Sequence, residues 1–274
     1  MAEPTEPSTP ESTPPVATYT EYAPSDPLRS YVDCFWTREL TPSALVASPP
    51  TIHRVLPDGC IDVVLGFSGQ ADDPESALAV GTMTRALILD SVSAPECYVG
   101  VRFRPAKAAA FIGVPAHELT DLRVSIDDIW HDGGQVREAI AVSTNAIARV
   151  HALERVLLAR MPRDVPGQAD VDEAIRRIVD AGGSLGITML APALGVTRQH
   201  LARRFSQLVG VSPKTFARVV RLGRVVERVR HVPAGEPVNW STLALELGYY
   251  DQSHLVDEFK EMTGISPVPF FQDR

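Results

Sequence analysis

Two similar stretches near the end of the sequence decide the fold: residues 187–213 read ITMLAPALGVTRQHLARRFSQLVGVSP, and residues 241–267 read STLALELGYYDQSHLVDEFKEMTGISP. Each contains an alanine-bearing helix, Leu-Gly, a short turn, a helix with a Leu-x3-Phe inner face, and a closing Gly-x-Ser-Pro. The matching pairs are Gly195 with Gly248, Leu201 with Leu255, and Phe205 with Phe259. Helix pairs of this kind place their second helix in the major groove of DNA. The repeat therefore predicts two helix-turn-helix units.

The distribution of charge also favours DNA as a partner, although the formal net charge of the chain is −8. Residues 185–235 carry nine basic side chains and one acidic one, whereas residues 236–274 carry two basic and seven acidic side chains. We therefore expect the first unit and the helix after it to supply the attraction to DNA phosphates.

Length and composition predict two domains of a globular protein. We expect a disordered arm over residues 1–17, a sensor or dimerisation domain over 18–162, a linker over 163–169, and a DNA-binding domain over 170–274. No apolar run is long enough for a membrane span, and the first residues do not resemble a signal peptide. Three scattered cysteines favour neither a disulfide framework nor a zinc site. These features predict a cytoplasmic protein with no membrane partner.

The first half of the chain contains short segments rich in Val and Ile, bounded by Gly, Pro and Asp. Such segments are typical of strands, and they are residues 61–67, 78–80, 86–89 and 97–103. Several strands without intervening helices predict a small antiparallel sandwich or barrel. The chain is thus expected to be α+β, with a β-rich first part and an all-helical second part.

Residues 136–161 predict one long amphipathic helix, because apolar residues recur at three- and four-residue spacing along it. The stripe contains Val136, Ile140, Ile147, Val150, Leu157 and Met161. It could pack on the sheet of its own domain. It could also pair with a second copy of the chain, which would make the protein a homodimer.

The repeated motif resembles the AraC/XylS family of bacterial transcription regulators, over roughly residues 171–272. The carrying features are Leu-Gly at 194–195 and 247–248, the two Phe residues, Gly-x-Ser-Pro twice, and the run DQSHL at 251–255. The resemblance implies a long helix over 215–231 that bridges the units, with an inner stripe of Phe216, Val219, Gly223, Val226 and the stem of Arg230. It also implies that the protein binds specific DNA sequences and recruits or assists RNA polymerase. In this family activation of transcription is more common than repression.

The first half resembles a sensor domain found ahead of such DNA-binding regions, which implies a cupin-like architecture. The carrying residues are RVLPDGCID at 54–62, VGVRFRP at 99–105 and GVPA at 113–116. Ala106 stands where relatives commonly have Gly. The resemblance implies control by an unknown small-molecule effector.

The outward faces of the two second helices contain the candidate DNA-reading residues. The second helix of the first unit is expected to be capped by Thr197. The family implies that Gln199, Ala202 and Arg203 occupy its base-facing positions, and Arg198 lies at the edge of this face. His200 and Arg204 are expected to contact phosphate or to lie on the surface. The second helix of the second unit is expected to be capped by Asp251. Its outward face carries Gln252, Ser253, Val256 and Asp257. His254 is expected to be a structural residue or to lie next to a phosphate. Gln can bond adenine and Arg can bond guanine through two hydrogen bonds each. An acid at 257 cannot bind phosphate, so we expect the second unit to bind more weakly or mainly to position the protein.

The bridging helix adds four arginines on adjoining faces, which could clamp the DNA backbone or simply be solvated. They are Arg218, Arg221, Arg224 and Arg228.

The candidate sensing residues of the first half are three aromatic side chains and one thiol: Trp36, Phe103, Trp130 and Cys60. The aromatic residues could line a pocket or form core, and Cys60 could be a reactive thiol or a buried inert one. Neither a catalytic constellation nor a nucleotide fingerprint stands out. We therefore predict no enzyme, cofactor or metal. The alternatives are a metal-dependent cupin enzyme fused to a DNA reader, and a DNA binder that needs no ligand.

Overall fold

A computed structural model describes residues 17–40, 52–67, 77–90, 97–143, 145–162, 167–233 and 235–272. The predicted arm, apart from residue 17, and residues 163–166 of the predicted linker lie outside this range. The β-rich first part and the helical second part predicted from the sequence are confirmed.

The described residues of the first part form eight strands. Their bounds are β1 Ala17–Tyr22, β2 Val32–Leu40, β3 Ile52–Val55, β4 Ile61–Phe67, β5 Ala77–Val80, β6 Leu87–Asp90, β7 Cys97–Phe103 and β8 Arg123–Ser125. Six of them make an antiparallel sheet in the order β1-β2-β7-β4-β5-β8, and β3 pairs with β6 in a second, two-stranded sheet. The four predicted strands are present as β4 to β7. Strand β8 has only three residues and no apolar alternation, which is why the sequence did not indicate it.

One face of the larger sheet is covered by short helices. Their bounds are α1 Ala109–Ile112, α2 Ile126–Ile129, α3 Gly133–Ala141 and α4 Ala146–Ala159, together with short 3-10 helices over Asp26–Leu28 and Ala116–Leu119. Alternate strand residues such as Val63, Val101 and Phe103 point to this face and are fully buried. The opposite face therefore carries the intervening residues of each strand.

In place of the single long helix predicted over residues 136–161 there are two helices, α3, which ends at Ala141, and α4, which begins at Ala146. Asn145 caps α4, because its side-chain oxygen accepts a hydrogen bond from the N–H of Ala148 at 2.9 Å. Polar Ser and Asn residues compete with a helix interior in this way. Val136, Ile140, Val150 and Leu157 are buried in the core of their own part of the chain, whereas Ile147 is 54% exposed. The continuous surface stripe expected for self-association is therefore not formed.

In the second part, the residues that the structure describes form seven helices. Their bounds are α5 Ala169–Asp180, α6 Ile187–Ala193, α7 Arg198–Val209, α8 Pro213–Arg230, α9 Trp240–Glu246, α10 Gln252–Thr263 and α11 Pro267–Phe270. Helices α6 and α7 are the first predicted unit, α9 and α10 the second, and α8 bridges them. We call α7 and α10 the first and second recognition helices and α8 the bridging helix.

The buried stripe of the bridging helix differs from the predicted one. Phe216, Val219 and Val226 are buried as expected, but Gly223 and Arg230 are exposed. Leu222, Val225 and Val229 are buried in addition. The helix is buried on a wider arc than one stripe because it completes the cores of both units.

The two parts of the chain pack closely against each other. Gly59 has a φ of +81°, and a Cβ added there would lie 2.4 Å from Cε2 of Phe216, so only glycine fits. Ala106 has a φ of +68° and packs in the core of the first unit. A glycine is the residue that adopts this conformation without strain, which explains the relatives' preference at that place.

Candidate nucleic-acid interface

The first recognition helix begins at the predicted cap. Thr197 Oγ1 accepts a hydrogen bond from the N–H of His200 at 3.1 Å, which satisfies one of the free N–H groups at the helix start. Leu201, Phe205 and Val209 are buried at the opposite side of the helix. The rings of Phe205 and Phe216 pack edge to face with centroids 5.6 Å apart, which fixes the rotation of this helix about its axis.

That rotation exposes the predicted base-facing residues of the first unit: Arg198, Gln199, Ala202 and Arg203. Within the described part of the chain, Arg198 and Arg203 make no ion pair with an acidic side chain. Their guanidinium groups are therefore available to phosphates or base edges.

His200 and Arg204 point towards α5 instead. Arg204 Nε lies 3.0 Å from a carboxylate oxygen of Asp170, and its Nη2 donates to the carbonyl oxygen of Gly167 at 2.6 Å. His200 Nε2 lies 3.4 Å from the same carboxylate. Asp170 lies inside the first turn of α5 and holds the first recognition helix to that helix.

The second recognition helix repeats this geometry with a different outer face. Asp251 caps it by accepting from the N–H of His254 at 2.8 Å. Leu255 and Phe259 are buried, and the exposed residues are Gln252, Ser253, His254 and Asp257. Gln252 Oε1 accepts from the hydroxyl of Ser241 at 2.7 Å, and the ring of His254 packs edge-on against Tyr249 with centroids 5.3 Å apart. The face is thus polar and carries an acid, without an exposed arginine.

Three arginines of the bridging helix bind acids of the second unit, an arrangement that sequence reasoning missed. Arg221 and Arg218 both donate to Glu258, which is 6% exposed, and Arg218 also donates to Glu261 at 2.6 Å. Arg228 donates to Glu246 at 2.7 Å. Arg218 and Arg221 are thus engaged within the chain rather than solvated, whereas Arg228 is 52% exposed, as the solvated alternative predicted. The excess of acids in residues 236–274 beside a base-rich helix was the signal for these pairs.

The four candidate sensing residues do not come together. Phe103 and Trp130 lie in the core between the larger sheet and its helices, where Trp130 Nε1 donates to the carbonyl oxygen of Phe111 at 3.0 Å. Trp36 and Cys60 occupy the alternate positions, so their side chains lie on the face of the sheet opposite to that core. The indole of Trp36 covers Gly100, where a Cβ would lie 2.3 Å from it. One pocket walled by all four residues is therefore not formed.

A partly buried polar cluster lies beside Cys60 on this opposite face. Arg102 Nε lies 3.1 Å from a carboxylate oxygen of Asp58 and 3.4 Å from one of Asp62. Burial raises the pKa of Asp62 to about 7, against the effect of the Arg102 charge. Burial, with the charges of Asp58 and Asp62 added, also raises the pKa of the Cys60 thiol well above its usual value. A thiol that stays protonated is a poor nucleophile.

A cleft of about 580 Å³ separates the segment after β3 from the bridging helix. Its polar lining comes from both parts of the chain and includes Arg54, Asp58, Arg102, Glu227 and Arg230. Nε of Arg54, which lines the cleft, is buried and has no hydrogen-bond partner among the described residues.

Two searches of the described residues gave no site. No group of three His, Cys, Asp or Glu side chains in those ranges is placed to hold a metal ion. None of the helices found there is both long and apolar enough to cross a membrane.

Comparisons with known proteins agree with the geometry of the second part. Residues 190–273 match a family model described as a helix-turn-helix domain, of the AraC type. The second part of the chain therefore contains an AraC-type helix-turn-helix domain. Residues 20–125 match a second model, a domain of unknown function named DUF6597. A search of functionally characterised proteins found no match.

Several solved structures of ToxT from Vibrio cholerae have a similar fold. One covers 81% of this chain and 93% of its own, at 12% identity and a TM-score of 0.42. Another, described as bound to an unsaturated fatty acid, covers 93% of each chain at 12% identity and a TM-score of 0.41. These values are too low for a property of ToxT to be transferred to this chain.

Proposed function

We propose that this regulator activates transcription by reading two successive major-groove segments of DNA, under the control of a small molecule. The observation that carries the proposal is the exposed face of the first recognition helix, where Gln199 and Arg203 stand beside Ala202 and Arg198. Gln199 would bond an adenine and Arg203 a guanine, each through two hydrogen bonds. Arg198, at the positive end of the helix, would bind phosphate.

The second recognition helix would contribute less affinity. Its exposed face carries Gln252, Ser253 and Asp257, and the arginines nearest to it on the bridging helix are engaged with Glu258 and Glu261. An acid in a groove repels phosphate and can accept only from a donor such as cytosine N4. This unit would mainly hold the protein in register on the DNA.

Control by an effector is proposed for the face of the sheet that carries Trp36. The half-buried indole stacks near Tyr19, with ring centroids 5.9 Å apart, and its Nε1 has no partner among the described residues. Aromatic walls with a few polar groups are typical of small-molecule sites. The raised pKa of Cys60 favours reversible binding over thiol chemistry.

Activation through RNA polymerase is proposed from the family alone, and so is the absence of an enzymatic role. A regulator of this kind acts where the DNA is, which we take to be the cytoplasm. The homodimer expected from residues 136–161 is not proposed, because most of that stripe packs inside its own part of the chain.

Selection of duplexes from a random DNA library by the full-length chain tests the proposal. We expect enrichment of two short blocks about one helical turn apart, with the stronger base preference in the block read by the first unit. Binding without enrichment of any sequence, or a single enriched block, would contradict it.

A further inference from the structure

In the described residues the two DNA-reading units have separate hydrophobic cores, and the bridging helix contributes side chains to both. Leu201, Phe205 and Phe216 lie in the first core. Leu255 and Phe259 lie in the second. The distance between the recognition helices therefore depends on the bridging helix, on the close contact of Gly248 with Ser184, and on any other segment that touches both units.

One segment of the first part touches both. Thr82 Oγ1 donates to the carbonyl oxygen of Val209, the last residue of the first recognition helix, at 2.5 Å. The N–H of Ala86 donates to the carbonyl oxygen of Met262, the last residue but one of the second recognition helix, at 2.6 Å. Carbonyl groups at the end of a helix lack partners within it, so these hydrogen bonds satisfy both ends.

Thr82 and Ala86 belong to the same connection, residues 81–86, which joins β5 of the larger sheet to β6 of the smaller one. Two hydrogen bonds hold the middle of this connection in place. The N–H and the hydroxyl of Thr84 each donate to the carboxylate of Asp121 at 2.6 Å. Thr82 is fully buried. Close by, Thr120 Oγ1 donates to the carbonyl oxygen of Gly210 at 2.6 Å, which adds a second hydrogen bond to the first unit.

The two sheets of the first part contact different units. Leu56, directly after β3 of the smaller sheet, packs against the core of the second unit. Ala106, shortly after β7 of the larger sheet, packs in the core of the first, and its neighbour Lys107 donates to Asp172 at 2.7 Å. A displacement of one sheet relative to the other would therefore change the distance between the recognition helices.

We propose that residues 81–86, together with Thr120, set the spacing between the two DNA segments that the chain reads. Thr82 and Thr120 are then positioning residues for DNA specificity, although neither touches DNA. The inference rests on the proposed function, since it takes both recognition helices to bind the same duplex. If the two recognition helices are held at a fixed distance, the chain binds a duplex with wrongly spaced segments more weakly. If the distance can vary, the chain can bind that duplex with a smaller loss of affinity.

Double electron–electron resonance on the full chain without DNA tests the structural half of the proposal. Spin labels attached through unnatural amino acids at Gln207 and Lys260, both exposed, report the distance between the recognition helices. We expect a narrow distribution for the parent chain and a clearly broader one for the pair of substitutions Thr82→Val and Thr120→Val. Thr263→Val is the matched control, because this buried threonine donates to the carbonyl oxygen of Phe259 within its own unit.

Binding to a selected duplex, with and without one base pair inserted between its two blocks, tests the functional half. We expect the insertion to weaken binding about tenfold or more for the parent and for Thr263→Val, and less than about threefold for the double variant. If the double variant does not fold by circular dichroism, Leu56→Ala, which loosens the contact with the second unit, takes its place. The proposal is overturned if a folded variant keeps the narrow distance distribution of the parent. It is also overturned if the inserted base pair weakens the binding of such a variant as much as that of the parent. If no duplex is selected at all, the proposed function fails, while the distance measurement still decides the structural half.

Discussion

Arg221 on the bridging helix donates to both carboxylate oxygens of Glu258 on the second recognition helix, at 2.9 and 3.0 Å. The same guanidinium lies over the ring of Tyr249, 4.5 Å from its centroid. Arg218 donates to Glu258 as well, at 2.9 Å. A buried carboxylate held by two arginines fixes the angle at which the second recognition helix leaves the bridging helix.

Replacing Glu258 by Gln should destabilise the chain by about 3 kcal/mol, because it leaves Arg221 partly buried without its counter-charge. Urea unfolding followed by circular dichroism measures this change. The control is Glu261→Gln, whose carboxylate is 53% exposed and pairs with Arg218 only at the surface, so its cost should stay below about 1 kcal/mol. Equal costs for the two substitutions would show that the buried pair has no special role.

Asp62, whose side chain is 16% exposed, should make stability depend on pH. Its pKa, raised from 3.8 to about 7 in the folded chain, means that the folded state binds the proton more tightly than the unfolded state. Its contribution to stability is therefore fully present below about pH 4 and is lost as the pH rises towards about 7.

Asp62→Asn removes this titration. The stability of the variant relative to the parent should rise between about pH 4.5 and pH 7.5. Thermal unfolding of both chains across that range gives the difference, and Asp26→Asn, at a side chain 85% exposed, is the control. A difference that stays constant or falls with pH would mean that Asp62 is ionised as readily in the folded state as in the unfolded one.

Leu157 and Ile147, assigned to one stripe by the sequence, should behave differently on truncation. Leu157 is fully buried and Ile147 is 54% exposed. We expect Leu157→Ala to cost about 2–5 kcal/mol of unfolding free energy, and Ile147→Ala to cost less than about 0.5 kcal/mol. Sedimentation of the parent is the complementary measurement. If the parent self-associates and Ile147→Ala abolishes this without a change in stability, Ile147 lies in a dimer interface.

The parts of the structure that follow short-range rules could be predicted from the sequence. The caps at Thr197 and Asp251, the inner Leu and Phe of each recognition helix, and strands β4 to β7 all depend on neighbours within a few residues. The repeat doubled this information, because each unit supported the reading of the other.

The parts that depend on distant partners could not. The arginines of the bridging helix have the spacing of a solvated face, and only the fold shows that Glu258 lies against two of them. Phe103 and Trp36 are both aromatic and both near polar residues, but the pleat places them on opposite faces of one sheet. The contact of residues 81–86 with both units joins segments more than 120 residues apart, which no local pattern encodes.

The asymmetry of the two recognition helices is the central claim, and DNA binding by two single variants tests it most directly. Fluorescence anisotropy of the full chain with a selected duplex would compare Arg203→Ala with Asp257→Ala. We expect Arg203→Ala to weaken binding by about 1–3 kcal/mol and to relax the preference at one base pair. Asp257→Ala should weaken binding less, or strengthen it, because it removes an acid that faces the DNA. Equal and large losses for the two variants would contradict the account.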